Sequence, residues 1–509
     1  MDSGTSRWPM ARIALALLAV ATVALVLLGC GSSGANASAS AGAQGATSIT
    51  GDTVGNPIPA GFVGLSIEIK ALEDYAGANP SAIDPVLVHL IQDIAPQQRP
   101  VLRIGGDSTD WSWWPVPHMR RPPGVKYTLT PTWMHVARSL ATQLRAKLIL
   151  GVDLEANSAV VASAEAQAMV DDIGRNSIDA LELGNEPELY GAFGWYRSSA
   201  GNLVTGRPRG YDLSNFTSNF TSFAPHLPDV ALAGPSSGAP AFLSQLGSFL
   251  SAEPRVRLAT VHAYPLKHCR KATVVTIPQL LSDSSSHGLA QLMTPYVAAA
   301  AQHRVPLRID EMNGISCGGT RGVSDTFASA LWVLDTLFEM ARVGVSGVNM
   351  HTVPGTINEI LGPEYVDGAW RMRVHPEYYG MIMFAQAAPS GSHLLRLAST
   401  VPAGVKLWAT RASSTIHVVV INKRLAQAQA QTLRLRIAAA TGPATVEQLR
   451  APSVNATSGV TLGGQTFGAT TASGVLSGPA PNSTLTPSGG AYTVRVPAAS
   501  ATMLTMAAG

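Results

Sequence analysis

The chain is 509 residues long, 46% hydrophobic and only 13% charged, with a net charge of +3. A charged share about half the ~25% usual in globular domains excludes a disordered, coiled-coil or charge-rich solvating chain. The 35 basic and 32 acidic residues leave no excess from which a nucleic-acid partner follows, and three cysteines are too few for a disulfide scaffold or a cysteine-rich zinc module. At roughly 150 residues per domain, the length fits two to four domains, or one large barrel with a smaller partner.

Arg7 and Arg12 precede an apolar run, Ile13–Leu28, broken only by Thr22. It is shorter than the about 20 residues of a membrane span and suits the apolar part of an export signal. Leu27-Leu28-Gly29-Cys30 resembles a bacterial lipoprotein signal, in which the cysteine after a small residue is lipidated. The alternative is an uncleaved signal anchor with an incidental cysteine. The uncharged Gly/Ala/Ser stretch Gly31–Ser48 cannot bury a core and reads as a tether. The expected location is therefore outside the cytoplasmic membrane, held to it by lipid or free.

Eight short apolar runs follow: Phe62–Ile67, Val101–Ile104, Lys147–Val152, Ile178–Leu183, Val230–Ala233, Leu258–Ala263, Pro306–Ile309 and Gly347–Met350. Such runs suit strands buried on both faces. Helix-spaced segments lie between them, among them Ala82–Ile94, Trp133–Leu144 and Ser324–Arg342. Eight βα units predict an α/β fold, a (β/α)8 TIM barrel. An open doubly wound sheet is the alternative, but no G-x-G-x-x-G turn follows the first run. From about residue 392, short β-rich runs separated by Gly, Pro, Ser and Asn predict an antiparallel β-sandwich. The expected organisation is a leader (1–29), a linker (30–50), a barrel (51–391) and a sandwich (392–509), the last helped by a strand from Ser48–Thr53.

Active sites of such barrels lie at the C-terminal ends of the strands. The fourth run ends in Leu183-Gly184-Asn185-Glu186-Pro187 and the seventh in Arg308-Ile309-Asp310-Glu311-Met312-Asn313. Two glutamates thus enter one mouth from opposite sides. Retaining glycoside hydrolysis needs two carboxyls about 5–5.5 Å apart, one protonated and one ionised.

Together with Gly61-Phe62-Val63-Gly64-Leu65-Ser66-Ile67-Glu68, Leu102-Arg103-Ile104-Gly105-Gly106-Asp107-Ser108-Thr109-Asp110 and His262-Ala263-Tyr264-Pro265, these motifs make residues 50–509 resemble glycoside hydrolase family 79, the β-glucuronidase and heparanase-like group. The resemblance implies Glu186 as general acid/base and Glu311 as nucleophile. It implies that Asn185 bonds the sugar 2-hydroxyl, and that Glu68, Asp107 and Tyr264 contact hydroxyls or flank the nucleophile. Plainer readings stand beside these: an Asx-turn for Asp107 and Asp110, a core ring for Tyr264, and structural hydrogen bonds for His262 and His351. Trp111, Trp113 and Trp114 offer either stacking faces or core rings. Family members that bind glucuronate use backbone donors and a tyrosine after the eighth strand. Here His351–Glu359 contains no tyrosine, and Glu359 would repel a uronate if it faced the pocket.

No His-x-x-x-His pair or acidic calcium loop appears, so no metal or cofactor is expected. With Cys30 assigned to lipid, Cys269 and Cys317 remain, an even number for an oxidising compartment. They follow the sixth and seventh strands, whose loops share one rim, and this predicts a disulfide; two free thiols are the alternative. The expected activity is a retaining β-glycosidase, with β-glucuronidase leading. A neutral-sugar glycosidase and a non-catalytic, carbohydrate-binding surface lipoprotein are the rivals.

Overall fold

The structure is a computed structural model and describes residues 46–269, 273–425, 430–438, 440–480 and 483–509. The apolar leader, Cys30 and the linker as far as residue 45 lie outside the described residues. No helix among the described residues is long and apolar enough to cross a membrane.

Eight parallel strands close into a barrel in chain order: Val63–Glu68, Val101–Gly105, Lys147–Val152, Ile178–Leu183, Leu232–Ser237, Val256–Ala263, Leu307–Met312 and Val348–Thr352. The eighth returns to the first, with Val348 opposite Val63 and Thr352 opposite Ile67. The first and seventh are buried at every position, which is why their sequences lack the alternation of a half-exposed strand. Gly64 is required where the first strand passes the second: a Cβ there would lie 2.0 Å from the Val101 carbonyl oxygen. The fifth and seventh strands run further toward the C-terminal face than their apolar runs predict. Toward those ends Ser236, Ser237, Asp310 and Glu311 are polar but still paired or buried within the barrel. Glu311 is thus part of its strand and inherits the strand's rigidity.

The second domain is a ten-stranded sheet, antiparallel except for one pairing. It takes a strand from before the barrel, Thr47–Val54, which pairs antiparallel with His393–Leu397 and parallel with Gln431–Ile437. Its core joins Ile416, Val418, Leu433, Val494 and Leu504, so distant strands of the one sheet face each other across a common apolar layer. The C-terminal strand Ser500–Ala508, rich in Ala, Met and Thr, is not prominent in the sequence, yet it pairs on both sides, with Thr415–Asn422 and Ala440–Arg450.

Helix Phe327–Arg342 reads as one-faced in sequence but is buried at every position from Phe327 to Met340. The sheet domain covers its outer side. Phe338 stacks on Trp408 with ring centres 5.3 Å apart, and Asp335 takes Lys423 Nζ at 2.5 Å and the Trp408 indole N–H at 2.9 Å. Burial pushes the Asp335 carboxyl up, but Lys423 and Lys406 outweigh it and hold the group below its ordinary range. A hairpin, Leu361–Val366 with Ala369–Val374, follows the eighth strand and bridges to the sheet domain through Met372 and Thr471.

Candidate active site

Arg103 organises the C-terminal end of the barrel. It stands in the second strand and is fully buried. Its Nε lies 2.8 Å from Glu182 and 3.2 Å from Asp310, and its Nη1 lies 2.6 Å from Glu311. Its Nη2 donates to Asn185 Oδ1 at 2.7 Å and to Ser236 Oγ at 3.1 Å. One planar fork of donors therefore ties together strands two, four, five and seven. Burial alone would favour a neutral side chain, but Glu182, Asp310 and Glu311 hold it charged. Burial pushes the Glu182 carboxyl up to about 7, partly opposed by Arg103, whereas His262 and Arg103 hold Asp310 below its ordinary range.

Glu311 is the penultimate residue of the seventh strand. Its Oε2 takes Arg103, and its Oε1 accepts from the Tyr264 hydroxyl at 2.8 Å. His351 Nδ1 is 3.8 Å away and His262 Nδ1 4.0 Å. Burial works against ionisation, but His351, His262, Arg103 and the Tyr264 hydroxyl overcome it and hold the carboxyl far below the usual carboxylate range.

Glu186 follows the fourth strand in a left-handed conformation, φ 45° and ψ 55°, a costly region for a residue other than glycine. Its N–H donates to the Ser236 carbonyl at 2.9 Å, and its Oε1 lies 3.0 Å from His262 Nδ1. The side chain is 25% exposed, against 10% for Glu311. Glu186, Glu311 and His262 offer atoms within 4.8 Å of one another. The same convergence could suit a cation, but Arg103, Tyr264 and His262 already bond the carboxylate oxygens facing it.

The other expected site residues gather around this pair. Asn185 turns its amide nitrogen toward Asp107 Oδ1 at 3.4 Å. Glu68 accepts from the backbone of Asp107 at 3.1 Å and of Ser108 at 2.8 Å, and also bonds the Ser108 hydroxyl. Asp107 presents surface to solvent, yet desolvation by the surrounding protein and the charges of Glu68, Glu186 and Glu311 push its carboxyl up to about 8.

Asp110 belongs to the wall and forms no local turn. Its carboxylate accepts from the Leu154, Glu155 and Asn185 N–H groups and from the Tyr190 hydroxyl, fixing the loops after strands three and four. Trp113 is core and donates to Thr128, whereas Trp111 carries Lys70 and Lys126 over its ring at 5.1 and 4.1 Å.

His262 corrects the reading of a purely structural hydrogen bond: its Nδ1 lies within 4.0 Å of both glutamates. Glu359 does not stand as a bare charge against a ligand. It accepts from Gly355 N–H at 2.8 Å and lies 3.1 Å from His375 and 3.5 Å from Arg373. Cys269 and Cys317 form a disulfide, and just before them Leu266–Lys267 pairs with Ile315–Ser316. The loops that follow the sixth strand, with Tyr264, and the seventh, which carries Glu311, are therefore joined above the barrel.

Arg103, Glu182, Asp310 and Ser236 carry no assigned role in the sequence reading. Their signal was a charged or hydroxyl residue inside an otherwise apolar strand, as in Leu102-Arg103-Ile104 and Leu181-Glu182-Leu183. A groove of about 590 Å³, lined by Arg121, Lys126, Tyr196 and Arg197, lies between the loops after strands two and four on the same face.

The fold and site place the chain among (β/α)8 proteins with two carboxylates at the strand ends and an attached β domain. Residues 407–503 match the glycosyl hydrolase family 79 C-terminal beta domain. A beta-glucuronidase of Neurospora crassa is 23% identical over 382 residues, which cover 65% of this chain and 64% of that protein, just under two thirds of its length. The structure of a 4-O-alpha-L-rhamnosyl-beta-D-glucuronidase from Fusarium oxysporum superposes with a TM-score of 0.71 at 21% identity, covering 90% of this chain and all of that one. A GH51 arabinofuranosidase from Xanthomonas axonopodis pv. citri gives 0.64 at 13% identity over 90% of this chain and 99% of its own. Both structural likenesses are likenesses of fold.

Proposed function

We propose that the chain is a family 79 glycoside hydrolase that cleaves β-glucuronides with retention of anomeric configuration. The observation that carries this reading is the asymmetry of the two glutamates. Glu311 is buried, doubly hydrogen-bonded and held ionised, as a nucleophile must be. Glu186 lies across the mouth, is more open to solvent, and has one oxygen bonded to the protein and one without a hydrogen bond among the described residues. Nearest oxygens within 4.8 Å suit the short separation of a retaining pair and leave little room for the water an inverting enzyme places between its carboxyls.

Glu186 gives its proton to the leaving oxygen as Glu311 bonds the anomeric carbon. Glu186 then takes a proton from the water that displaces Glu311. Arg103 and Tyr264 stay on the two Glu311 oxygens and orient the attacking lone pair.

The glucuronate preference rests on the family 79 domain and the fungal relative. A panel of aryl β-D-glycosides, with the first-formed anomer read by NMR, tests both parts. Release from the glucuronide with the β-anomer formed first is the expected result. Turnover of only glucosides, galactosides or xylosides would replace the sugar assignment. First-formed α-anomer would end the retaining mechanism, and no turnover at all would leave a carbohydrate-binding protein. Export and lipid anchoring through Cys30 belong to the same proposal. Cys30→Ser should move the protein out of the membrane fraction, and unchanged retention would remove the anchor.

A further inference from the structure

His262 does more than fill space between the glutamates. It stands in the sixth strand with both ring nitrogens engaged: Nδ1 at 3.0 Å from Glu186 Oε1, and Nε2 at 3.0 Å from Ser236 Oγ and 3.4 Å from Asp310 Oδ2. Ser236 Oγ already accepts from Arg103, and the Ser236 carbonyl receives the Glu186 N–H, so the same residue fixes both ends of the contact. An ionised Asp310 beside Nε2 keeps a proton on that nitrogen. Nδ1 then faces Glu186 as the only variable position.

We propose that His262, backed by Asp310, is a positioning residue for the acid/base proton: it binds Glu186 Oε1, reserves Oε2 for the glycosidic oxygen, and stabilises the carboxylate left after proton donation. The proposal rests on the reading of Glu186 as the acid/base. In the first step the Glu186 Oε2–H bond breaks and that proton goes to the leaving oxygen, which also keeps the electron pair of the broken C–O bond. In the second step water gives a proton to Oε2 and its oxygen to the anomeric carbon. The Glu311–carbon bond breaks with its electron pair returning to Glu311. His262 keeps both N–H protons throughout.

The groups around the ring favour this charged form. Glu311 and Asp310 face it from strand seven, Glu186 and Glu182 from strand four, while Tyr264 follows on its own strand and binds Glu311. Arg103 is the opposing positive charge and is bonded to Glu311, His351 Nδ1 lies 3.8 Å from the same carboxylate, and Asp107 and Glu188, both pushed up chiefly by burial, lie near Glu186. Burial lowers the affinity of His262 for its second proton, but Glu311, Asp310 and Glu186 raise it well above the ordinary histidine range.

The test is the pH dependence of kcat/KM for His262→Asn, whose side-chain amide can keep one donor near Glu186 but carries no charge. Substrates are aryl β-glycosides of graded leaving-group acidity. Removing a cation beside a carboxyl favours the protonated form, so the alkaline limb should move to higher pH. The weakened acid should slow poor leaving groups by about 10²-fold and good ones by less than about tenfold. An unshifted limb with equal loss on all leaving groups would overturn the proposal.

Asp310→Asn provides the second variant and should displace the limb in the same direction; no displacement in either variant also overturns it. Azide rescue of Glu186→Ala keeps the two readings apart. Without rescue on an activated substrate, the assignment of Glu186 fails. With rescue and unshifted profiles for His262→Asn and Asp310→Asn, only the role of His262 fails.

Discussion

Glu311→Gln should abolish turnover of every substrate, by on the order of 10⁵-fold or more, as expected when the group that forms the covalent bond is removed. The amide nearly preserves shape, so Arg103 and Tyr264 still pack around residue 311 and the loss falls on kcat. Glu186→Gln should behave differently. Its loss should be about 10²–10⁴-fold on alkyl glycosides, whose leaving oxygen needs a proton. It should shrink on aryl glycosides with acidic phenols, where only deglycosylation then suffers. The measurement is kcat and kcat/KM for both variants on one alkyl and one activated aryl substrate. Equal losses across leaving groups in Glu186→Gln would remove its role as acid, and residual steady turnover in Glu311→Gln would remove Glu311 as nucleophile.

The barrel was legible because buried parallel strands write themselves as apolar runs, and seven of the eight runs overlap their strands with only small differences at the ends. Val230–Ala233 is the exception in kind: its strand continues through Gly234, Pro235 and two serines to Ser237. An apolar criterion stops where the strand starts to serve the site. The glutamates were legible because each follows such a run. Arg103 was visible as a residue but not as a role, because its partners come from four other strands and only closure of the barrel brings them together. The same holds for Asp110, whose four donors come from segments about 44 to 80 residues away. Helix Phe327–Arg342 looked amphipathic because Asp335 and Glu339 mark one side. The sequence gives no sign that Lys423 and Lys406 arrive from another domain to meet them.

Arg103→Met should give the largest loss of stability of any single change at the site. It removes the cation shared by Glu182, Asp310 and Glu311, all of which stay buried. Breaking a buried ion pair from one side costs about 3–5 kcal/mol, because the remaining charge has neither water nor partner. The cost should depend on pH with a definite sign. Asp310 and Glu311 are depressed in the folded protein, so their contribution is present above the unfolded carboxylate range of about 4 and is lost as pH falls through the depressed values. Glu182, raised to about 7, opposes stability as pH rises through that value, and without Arg103 it would ionise at still higher cost. All three groups therefore make the variant comparatively worse at neutral and alkaline pH. The difference in melting temperature between wild type and Arg103→Met should be large at pH ~7 and shrink progressively toward acid, as the buried carboxyls of the variant take up protons first and Asp310 and Glu311 of the wild type only at their depressed values. The acid limb of any residual activity should also move to higher pH, because Glu311 loses one of the charges that keep it ionised. Thermal unfolding across this range decides the matter: a melting difference that stays constant with pH would mean that Arg103 contributes packing alone, and that the ionisation of Glu311 is set by His351, His262 and Tyr264.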